Sequence, residues 1–288
     1  MTSWLDPPLS AVREVVSRAL AEDLGVFGDL TAGLVDPEAT ATGRVAARSS
    51  GVLAGTLAAS EAFAAVDPGI EVRWRAGDGD AVGPGEAIAT VSGRLASILT
   101  AERTALNLLG HLSGVATLTR RFADAARPAR VRDTRKTTPG LRALEKAAVR
   151  AGGGVNHRGS LSDGVLVKDN HLAGLGIAAA VDAAHRRWPG VPCEVECDTI
   201  EQVEAALKAG ADLVLVDNMT PPQVAAAVSL VAGKVPVEVS GGVTLESVAA
   251  YAAAGADLIS VGLITHSAPV LDIGLDLDTG RPVPAGGG

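Results

Sequence analysis

The chemically most distinctive part of the sequence is a basic segment, Asp133–His171, in which cationic side chains alternate with Gly, Thr and Pro. Between Arg127 and Lys168 there are ten Lys and Arg residues against three acids, which gives this window a charge of +7 within a chain of net charge −8. A local reversal of sign this large is typical of a site for an anion. The best candidates to bind it are the residues in loop-like stretches, because binding residues concentrate in loops: Arg135, Lys136, His157 and Arg158. Lys168 follows the end of a predicted strand and is a further candidate.

Three further cations in this segment follow a different pattern. Arg142, Lys146 and Arg150 are four residues apart on a predicted helix. This spacing places them on one side of the helix, and a solvated helix face explains them without a ligand.

Composition limits the class of protein. A chain of 288 residues with 47% hydrophobic and 20% charged residues is ordinary for a globular enzyme of two domains, or of one barrel with an appendage. The first ten residues lack the pattern of a signal peptide, and no apolar run is long enough to cross a membrane. Two cysteines without a zinc-binding spacing suit a reducing compartment, so we expect a cytoplasmic protein. The acidic net charge and 2% aromatic content argue against nucleic-acid binding.

The first third of the chain, residues 1–114, predicts a small β-rich domain that begins with a helix at Leu9–Leu24 and contains strands at Arg44–Ala54 and Ile70–Ala76. A long apolar helix follows at Leu95–His111. Its polar stripe at i, i+4 and i+8 contains a guanidinium that needs a partner, either a structural ion pair or a bound anion. The stripe consists of Arg103, Asn107 and His111.

The second part, residues 115–268, alternates short β-branched runs with helical patterns, which predicts repeated αβ units and a parallel sheet closed into a barrel. An internal repeat supports this, because Val203–Val216 and Val248–Val261 are identical at eight of fourteen positions. The predicted strands are Arg130–Arg132, Gly164–Val167, Cys193–Cys197, Leu213–Val216, Val235–Val239 and Leu258–Val261. The predicted helices are Leu141–Ala151, Ile177–Arg187, Ile200–Ala209, Pro222–Val231 and Leu245–Ala254.

Charged or Gly-rich residues lie at or just after the ends of these strands, where barrel enzymes carry their functional groups. Ser240, Gly241 and Gly242 offer backbone N–H groups that suit a phosphate monoester, and Gly262 and His266 could complete the same pocket. Arginine forks match carboxylates. Glu196 and Asp217 end successive strands and suit sugar hydroxyls, Mg²⁺ or a developing cation. The set predicts a site for a phosphorylated sugar and a small polycarboxylate.

Eight motifs of this sequence, in order along nearly the whole chain, resemble those of the quinolinate phosphoribosyltransferase family. They are EDLGVFGDLTA (Glu22–Ala32), ERTALNLL (Glu102–Leu109), DTRKTTPGLR (Asp133–Arg142), GGGVNHRGSLSD (Gly152–Asp163), LVKDNH (Leu166–His171), EVEC (Glu194–Cys197), LVDN (Leu215–Asn218) and VSGGVT (Val239–Thr244). One departure is Cys197, where the family often has Asp.

The resemblance implies transfer of phosphoribose from phosphoribosyl pyrophosphate to quinolinate with loss of CO₂, using Mg²⁺, in NAD synthesis. It implies an α/β fold: an open barrel of about seven strands joined to an N-terminal α/β sandwich, with the tail 269–288 returning to the first domain. It also implies a homodimer, possibly within a higher oligomer, in which Arg103 reaches the active site of the neighbouring subunit.

The resemblance also implies residue roles. Quinolinate would contact Arg135, His157, Arg158 and Lys168, and phosphoribosyl pyrophosphate would contact Lys136 and Lys168. Glu196 and Asp217 would contact ribose and metal, partly through the substrate. Thr134, Ser240, Gly241, Gly242, Gly262 and His266 complete the expected set. Lys136, Lys168, Glu196 and Asp217 are expected to be catalytic.

Three alternatives stay open from the residues alone. A phosphate-binding barrel aldolase or isomerase would use Lys168 as a Schiff-base lysine, but it leaves the excess of arginines without a role. A polyanion-binding module is a non-enzymatic alternative. A related enzyme acting on another pyridine or heterocyclic acid would share the scaffold.

Overall fold

A computed structural model of the chain describes residues 4–168 and 174–278. The chain forms two compact units. The first comprises Met1–Thr117, Ala143–Gly152 and Ala268–Gly288, and the second comprises Leu118–Arg142 and Gly153–Ser267. The short stretch Ala143–Gly152 therefore groups with the first unit, whereas the division drawn from the sequence assigned it to the second.

The first unit is built around a four-stranded antiparallel sheet in the order β12-β1-β5-β3, with a separate two-stranded ribbon of β2 and β4. Two helices, α1 (Leu9–Leu24) and α2 (Thr56–Val66), pack on each other. The strands are β1 (Thr40–Ala47), β2 (Gly51–Val52), β3 (Glu71–Trp74), β4 (Ala81–Val82), β5 (Ala87–Arg94) and β12 (Ile273–Asp278). The single strand predicted at Arg44–Ala54 is wrong, because the chain bends at Arg48–Ser49 and divides it into β1 and β2.

The end of the described chain belongs to this sheet. β12 runs antiparallel to β1, with Val45 opposite Leu275 and Thr42 opposite Asp278. The expected return of the tail as a strand is therefore observed. For the last residues, RPVPAGGG, their terminal position predicts disorder, and they lie outside the described residues.

The helix predicted at Leu95–His111 is longer than expected. It forms α3, which continues from Leu95 to Ala125, because apolar residues recur at helical spacing and remain buried at Val115, Leu118 and Phe122. Pro128 follows shortly after its end, in a position where a helix cannot continue.

The second unit contains a parallel sheet in the order β6-β11-β10-β9-β8-β7. Its strands are β6 (Arg130–Arg132), β7 (Val165–Val167), β8 (Cys193–Cys197), β9 (Leu213–Asp217), β10 (Val237–Ser240) and β11 (Leu258–Ser260). Its helices are α5 (Ile177–Arg187), α6 (Ile200–Ala209), α7 (Pro221–Val231), α8 (Val248–Ala253) and α9 (Leu263–His266), while α4 (Arg142–Ala151) lies mostly in the first unit.

This sheet has the order of an open barrel. Beyond β6, Val155 forms an isolated parallel bridge with Arg132 and so supplies a seventh, minimal strand. The described residues contain no pairing that joins this bridge to β7, so the ring stays open there. The predicted α/β class with an incomplete barrel is confirmed. Every predicted strand of this part exists, within two residues of its expected bounds.

Helix boundaries follow local side-chain chemistry. Thr199 caps α6 through a reciprocal pair of hydrogen bonds with Gln202, and Gly210 ends the helix with φ of 80°. The helix predicted at Leu245–Ala254 is shorter, because the hydroxyl of Ser247 accepts the N–H of Thr244 and regular α8 begins only at Val248. Across residues 4–168 and 174–278, no helix combines the length and the apolar character needed to cross a membrane.

Candidate functional site

Four of the expected site residues share one face and one end of the parallel sheet. In register, Leu166 is opposite Glu194 and Asp217 is opposite Ser240. Side chains alternate along a strand, so Lys168, two residues after Leu166, is on the same face as Glu196. By the same alternation Glu196, Asp217 and Ser240 occupy one face at the carboxyl ends of β8, β9 and β10. The sheet therefore delivers an ammonium, two carboxylates and a hydroxyl to one edge.

The side-chain contacts agree with that register. Lys168 Nζ donates to Glu196 Oε2, and the amide of Asn218 donates to Asp217 Oδ2 at 2.6 Å. No hydrogen bond within the described residues reaches Glu196 Oε1 or Asp217 Oδ1. Each carboxylate thus keeps one oxygen for an outside partner, such as a hydroxyl or a metal ion.

The two carboxylates fit Mg²⁺, which prefers oxygen ligands and typically takes one or two carboxylates together with substrate phosphates and water. Glu196 and Asp217 are half-buried on neighbouring strands, each with an oxygen that accepts no hydrogen bond from the described protein. The donor set is therefore suitable for the expected cofactor.

The Gly-rich turn after β10 is shaped by its neighbour. A Cβ on Gly241, whose φ is +95°, would lie 2.3 Å from Asn218 Oδ1 and 2.7 Å from Asn218 N. Only glycine fits there. Within residues 4–168 and 174–278, the N–H groups of Gly241, Gly242 and Val243 donate to no protein acceptor. Three backbone donors at one turn form a concave cradle for an anion such as phosphate.

A second loop approaches through close contacts around Gly262. A Cβ on Gly262 would lie 3.1 Å from Lys136 Cδ and 3.3 Å from His266 Nε2, so these side chains pass directly over this glycine. Thr265 donates to the carbonyl of Lys136 at 2.9 Å, and the hydroxyl of Thr134 accepts the Lys136 N–H at 2.9 Å. These contacts bring together four expected site residues: Thr134, Lys136, Gly262 and His266.

Two expected arginines lie close enough to affect each other. The pKa of the Arg158 guanidinium is lowered, chiefly by burial and next by the positive charge of Arg135. Arg158 Nη1 donates to the carbonyl of Gly164 at 2.9 Å, which fixes its direction. Adjacent cations repel unless an anion lies between them, so the pair indicates a binding position for a carboxylate or phosphate.

Beneath these loops is a buried network that the sequence analysis missed. His157 Nε2 lies 3.1 Å from Glu194 Oε2 and 3.6 Å from Glu238 Oε1. Arg132 Nη1 and the Ser260 hydroxyl both donate to Glu238. Burial raises the pKa of Glu194, and burial together with the nearby Glu194 charge raises the pKa of Glu238.

A sequence signal for this network existed. Glu194 and Glu238 each stand two residues before a strand-end residue that was singled out, in strands that are otherwise apolar. A charge inside such a strand faces the interior and must be paired there. Asp133 was also missed as a functional residue: it is fully buried and accepts the His157 N–H at 2.8 Å and the Asn156 amide at 2.6 Å.

The solvated-face interpretation of the three cations on α4 is wrong. Lys146 is only 6% exposed. Arg142 donates to Thr137 and to the carbonyl of Gly159, both at 3.0 Å. Arg150 donates to the carbonyls of residues 4–6. These side chains bind protein atoms, because a helix buried on most sides leaves its cations no solvent to face.

The remaining expected residues divide between exposed and undescribed positions. Arg103 and Asn107 are exposed on α3, and Arg103 makes no hydrogen bond or ion pair with any described residue. His111, the last of the stripe, contacts the buried Glu145 at 2.8 Å. The Asp169–His171 part of the LVKDNH motif lies outside the described residues.

An open parallel barrel with a backbone anion cradle, paired arginines and two carboxylates at one end of the sheet defines a phosphate-binding α/β-barrel enzyme. Comparisons with known proteins narrow this class. Residues 115–276 match the model of the quinolinate phosphoribosyl transferase C-terminal domain, and residues 29–113 match that of the N-terminal domain. The chain belongs to the quinolinate phosphoribosyltransferase family.

Individual relatives agree. Nicotinate-nucleotide pyrophosphorylase [carboxylating] of Mycobacterium leprae is 46% identical over 283 residues, covering 94% of this chain and 99% of that protein. A probable enzyme of the same name from Bacillus subtilis is 40% identical, covering 92% and 93%. The solved nicotinate-nucleotide pyrophosphorylase of Francisella tularensis superposes with a TM-score of 0.91 at 37% identity, covering 96% of this chain and 100% of that one.

Proposed function

We propose that this protein transfers the phosphoribosyl group of phosphoribosyl pyrophosphate to quinolinate and releases pyrophosphate and CO₂, giving nicotinate mononucleotide for NAD synthesis. The observation that carries the proposal is the placement of the Arg135–Arg158 pair in the same unit as an open backbone cradle at Gly241–Val243. One substrate carries two carboxylates and the other carries phosphates, so both kinds of anion site are needed.

Each group of site residues receives a role. Arg135, Arg158 and Lys168 hold the carboxylates of quinolinate. Lys136 and Lys168 bind the pyrophosphate group, and Thr134 and His266 support the loop of Lys136. The 5′-phosphate lies in the cradle of Ser240, Gly241 and Gly242, closed by Gly262. His157, which the sequence led us to expect as a further carboxylate ligand, has both ring nitrogens directed at protein groups.

The chemistry follows from where charge develops. The pyridine nitrogen attacks the anomeric carbon as the C–O bond to pyrophosphate breaks, through a transition state with positive charge on the ribose. The carboxylates of Glu196 and Asp217 stabilise this positive charge, and Lys136 neutralises the departing pyrophosphate. The pyridinium formed then stabilises the electron pair that stays on the adjacent ring carbon when the C–C bond breaks and CO₂ leaves, and a proton from water adds to that carbon to give nicotinate mononucleotide. Mg²⁺, when bound, supplies further positive charge at the pyrophosphate oxygens.

A homodimer with shared active sites is part of the proposal. Arg103 is exposed and has no partner among the described residues, as expected of a side chain that completes a site on another subunit. In the same unit, Asp29 accepts a hydrogen bond from Thr100, three residues before Arg103, and the loop around Asp29 exposes large apolar side chains. Val26, Phe27, Leu30 and Leu34 are each at least 72% exposed. Such an apolar cluster suits a subunit interface. We place the enzyme in the cytoplasm.

The substrate assignment is tested by measuring products. With phosphoribosyl pyrophosphate and Mg²⁺, quinolinate should release pyrophosphate and CO₂ in equal amounts, and a chelator should abolish both. Nicotinate, which lacks the second carboxylate, serves as the matched control and should give neither product. Turnover of nicotinate without turnover of quinolinate would contradict the assignment.

The shared site is tested with hybrid dimers. Arg103→Ala and Lys136→Ala proteins should each be nearly inactive. After subunit exchange, half of the dimers carry one intact site, so about a quarter of wild-type activity should return. No recovery, with exchange verified by mass spectrometry, would count against Arg103 acting in its neighbour.

A further inference from the structure

We propose that Glu194 and Glu238 are positioning residues that act through His157 to fix Arg158 for the substrate carboxylate. This inference rests on the proposed function, because it assigns a role around the quinolinate site. It concerns residues that contact no substrate themselves. All the residues involved belong to the second unit.

The imidazole of His157 is held in one orientation. His157 Nδ1 accepts the backbone N–H of Arg158 at 2.7 Å, so this nitrogen carries no proton. The proton of the neutral ring is therefore on Nε2, which lies 3.1 Å from Glu194 Oε2. The ring is thus held between a backbone donor on one side and a buried carboxylate on the other, in a single tautomer.

The carboxylates of Glu194 and Glu238 are held firmly by the sheet. The side chain of Glu238 is fully buried, and its two oxygens receive Arg132 Nη1 and the Ser260 hydroxyl. The side chain of Glu194 is 8% exposed, and its Oε1 has no hydrogen-bond partner among the described residues. Glu194 is on β8, Glu238 on β10, Ser260 on β11 and Arg132 on β6. All four strands belong to one sheet, so these groups cannot move without moving the sheet. Rigid strands make a precise support for a functional loop.

This network holds the segment Asn156–Arg158 in place. Asp133 Oδ1 accepts the backbone N–H of His157 at 2.8 Å, and its Oδ2 accepts the side-chain amide of Asn156 at 2.6 Å. Arg158 is thereby fixed at its own backbone N–H by His157 and at its guanidinium by the carbonyl of Gly164. A guanidinium fixed in advance loses little freedom when it binds a carboxylate, so the support should appear in substrate affinity.

The same atoms admit one rival use. One ligand atom each from His157, Glu194 and Glu238 can be chosen so that all lie within 4.8 Å of one another, a spacing that suits a metal ion. The contacts of Glu238 with Arg132 and Ser260 argue against this, because both of its oxygens are engaged and a guanidinium stands where a cation would bind. Metal content is therefore an outcome of the test.

The decisive experiment compares Glu194→Gln with Glu194→Leu in steady-state kinetics. Leucine removes the acceptor for His157 Nε2–H at similar volume, and KM for quinolinate should rise about tenfold. KM for phosphoribosyl pyrophosphate and kcat should stay within about twofold. Glutamine retains an acceptor oxygen and should restore KM to within about threefold. Glu204→Leu, a change on the exposed face of α6, is the matched control and should alter nothing.

Three outcomes, two kinetic and one of metal content, would overturn the inference. The first is a parallel loss of kcat and of both affinities, which would indicate a purely structural role. The second is a glutamine variant as defective as the leucine variant. The third is a stoichiometric metal in the purified wild-type enzyme that the leucine variant lacks. A wild-type protein that does not turn over quinolinate would contradict the proposed function instead, and the next measurement would still test the network.

That measurement is the ¹⁵N NMR spectrum of histidine-labelled wild-type protein, with the signals of His157 identified by their loss in His157→Asn. The geometry requires the Nε2–H tautomer of a neutral ring. Observation of an Nδ1–H tautomer, or of an imidazolium at neutral pH, would overturn the inference whatever the activity and however stable the Glu194 variants prove to be.

Discussion

The basic segment contains two groups of cations that look alike in sequence and differ in what they contact. On α4, Lys146 is buried and Arg150 donates to the backbone carbonyls of Trp4, Leu5 and Asp6, so protein atoms satisfy these charges. In the loop after β6, Arg135 and Lys136 are exposed, and their charged ends make no hydrogen bond with any described residue. We group Arg158 with these loop cations. Burial and the positive charge of nearby Arg135 both lower its pKa, which indicates that the two guanidinium groups are close together.

A local excess of charge therefore does not by itself locate a binding site. The cations of α4 bind neighbouring protein backbone, whereas Arg135 and Lys136 in the loop after β6 keep their charged ends for a partner outside the protein. The distinction should appear experimentally as a separation of effects. Changes on α4 should reduce stability, and changes in the loop after β6 should reduce activity.

The largest effect should come from Lys136→Ala, which removes a charge from the proposed pyrophosphate site. We expect kcat/KM to fall about 10³-fold, because an electrostatic contact made chiefly in the transition state is lost. The melting temperature should change little, since the ammonium makes no hydrogen bond within the described residues. Arg187→Ala, which removes an exposed cation at the end of α5, should leave both quantities unchanged. A large loss of stability in the Lys136 variant would contradict the distinction between the cations of this loop and those of α4.

The sequence was sufficient to predict one of these two groups. Arg135, Lys136 and Arg158 stand in Gly/Thr/Pro-rich stretches next to strands, and the strand ends themselves predicted Glu196, Asp217 and Ser240. The periodicity of a strand fixes which face a residue is on, and parallel strands share one carboxyl end, so these residues meet without further information.

The other group could not be predicted in the same way. Helical spacing shows that Arg142 and Arg150 are on one side of α4, but not what packs against that side. Arg150 binds carbonyls about 145 residues earlier in the chain, a contact that no local pattern encodes. The buried pairing of His157 with Glu194 and Glu238 likewise depends on strand order in space. Long-range order of this kind is a property of the assembled sheet.

A smaller effect on activity should come from the cradle, where two adjacent glycines provide a matched pair. Gly241→Ala places a Cβ 2.3 Å from Asn218 Oδ1 at a φ of +95°, and Gly242→Ala meets nothing within 4 Å at a φ of +58°. We expect the first to raise KM for phosphoribosyl pyrophosphate about 100-fold and to destabilise the fold by about 2–3 kcal/mol. The second should cost about 1 kcal/mol of stability. Equal effects would contradict the geometry of the turn.

The opposite separation is expected on α4. Arg150→Ala removes hydrogen bonds to the carbonyls of Trp4, Leu5 and Asp6 at 3.2, 3.1 and 3.2 Å. The free energy of unfolding should fall by about 1–3 kcal/mol. At a temperature where the variant stays folded, kcat/KM should remain within about twofold of the wild-type value. Arg150→Lys keeps the charge and loses the fork, so a stability close to that of Arg150→Ala would show that the hydrogen bonds matter more than the charge.

The smallest effect, on stability, is expected from a change to an anion, Asp29. Asp29 accepts the N–H of Ala32 at 2.9 Å, the N–H of Thr31 at 3.0 Å and the hydroxyl of Thr100 at 3.0 Å. Its pKa is lowered, mainly by the hydrogen bond from Ala32, although burial opposes the shift. Protein atoms therefore satisfy this charge, as they do the charges of α4, and we expect its removal to affect stability.

A lowered pKa in the folded state gives the sign of the pH dependence. The ionised form stabilises the fold above the pKa of the unfolded chain, and this stabilisation is lost as the pH falls through the folded-state pKa. Asp29→Asn should therefore lower the melting temperature by about 1–2 °C at pH 7. The difference from wild type should shrink below about pH 4. Thermal unfolding of both proteins across this range measures it. A constant difference at all pH values would mean that the hydrogen bonds of Asp29 stabilise this loop without help from its charge.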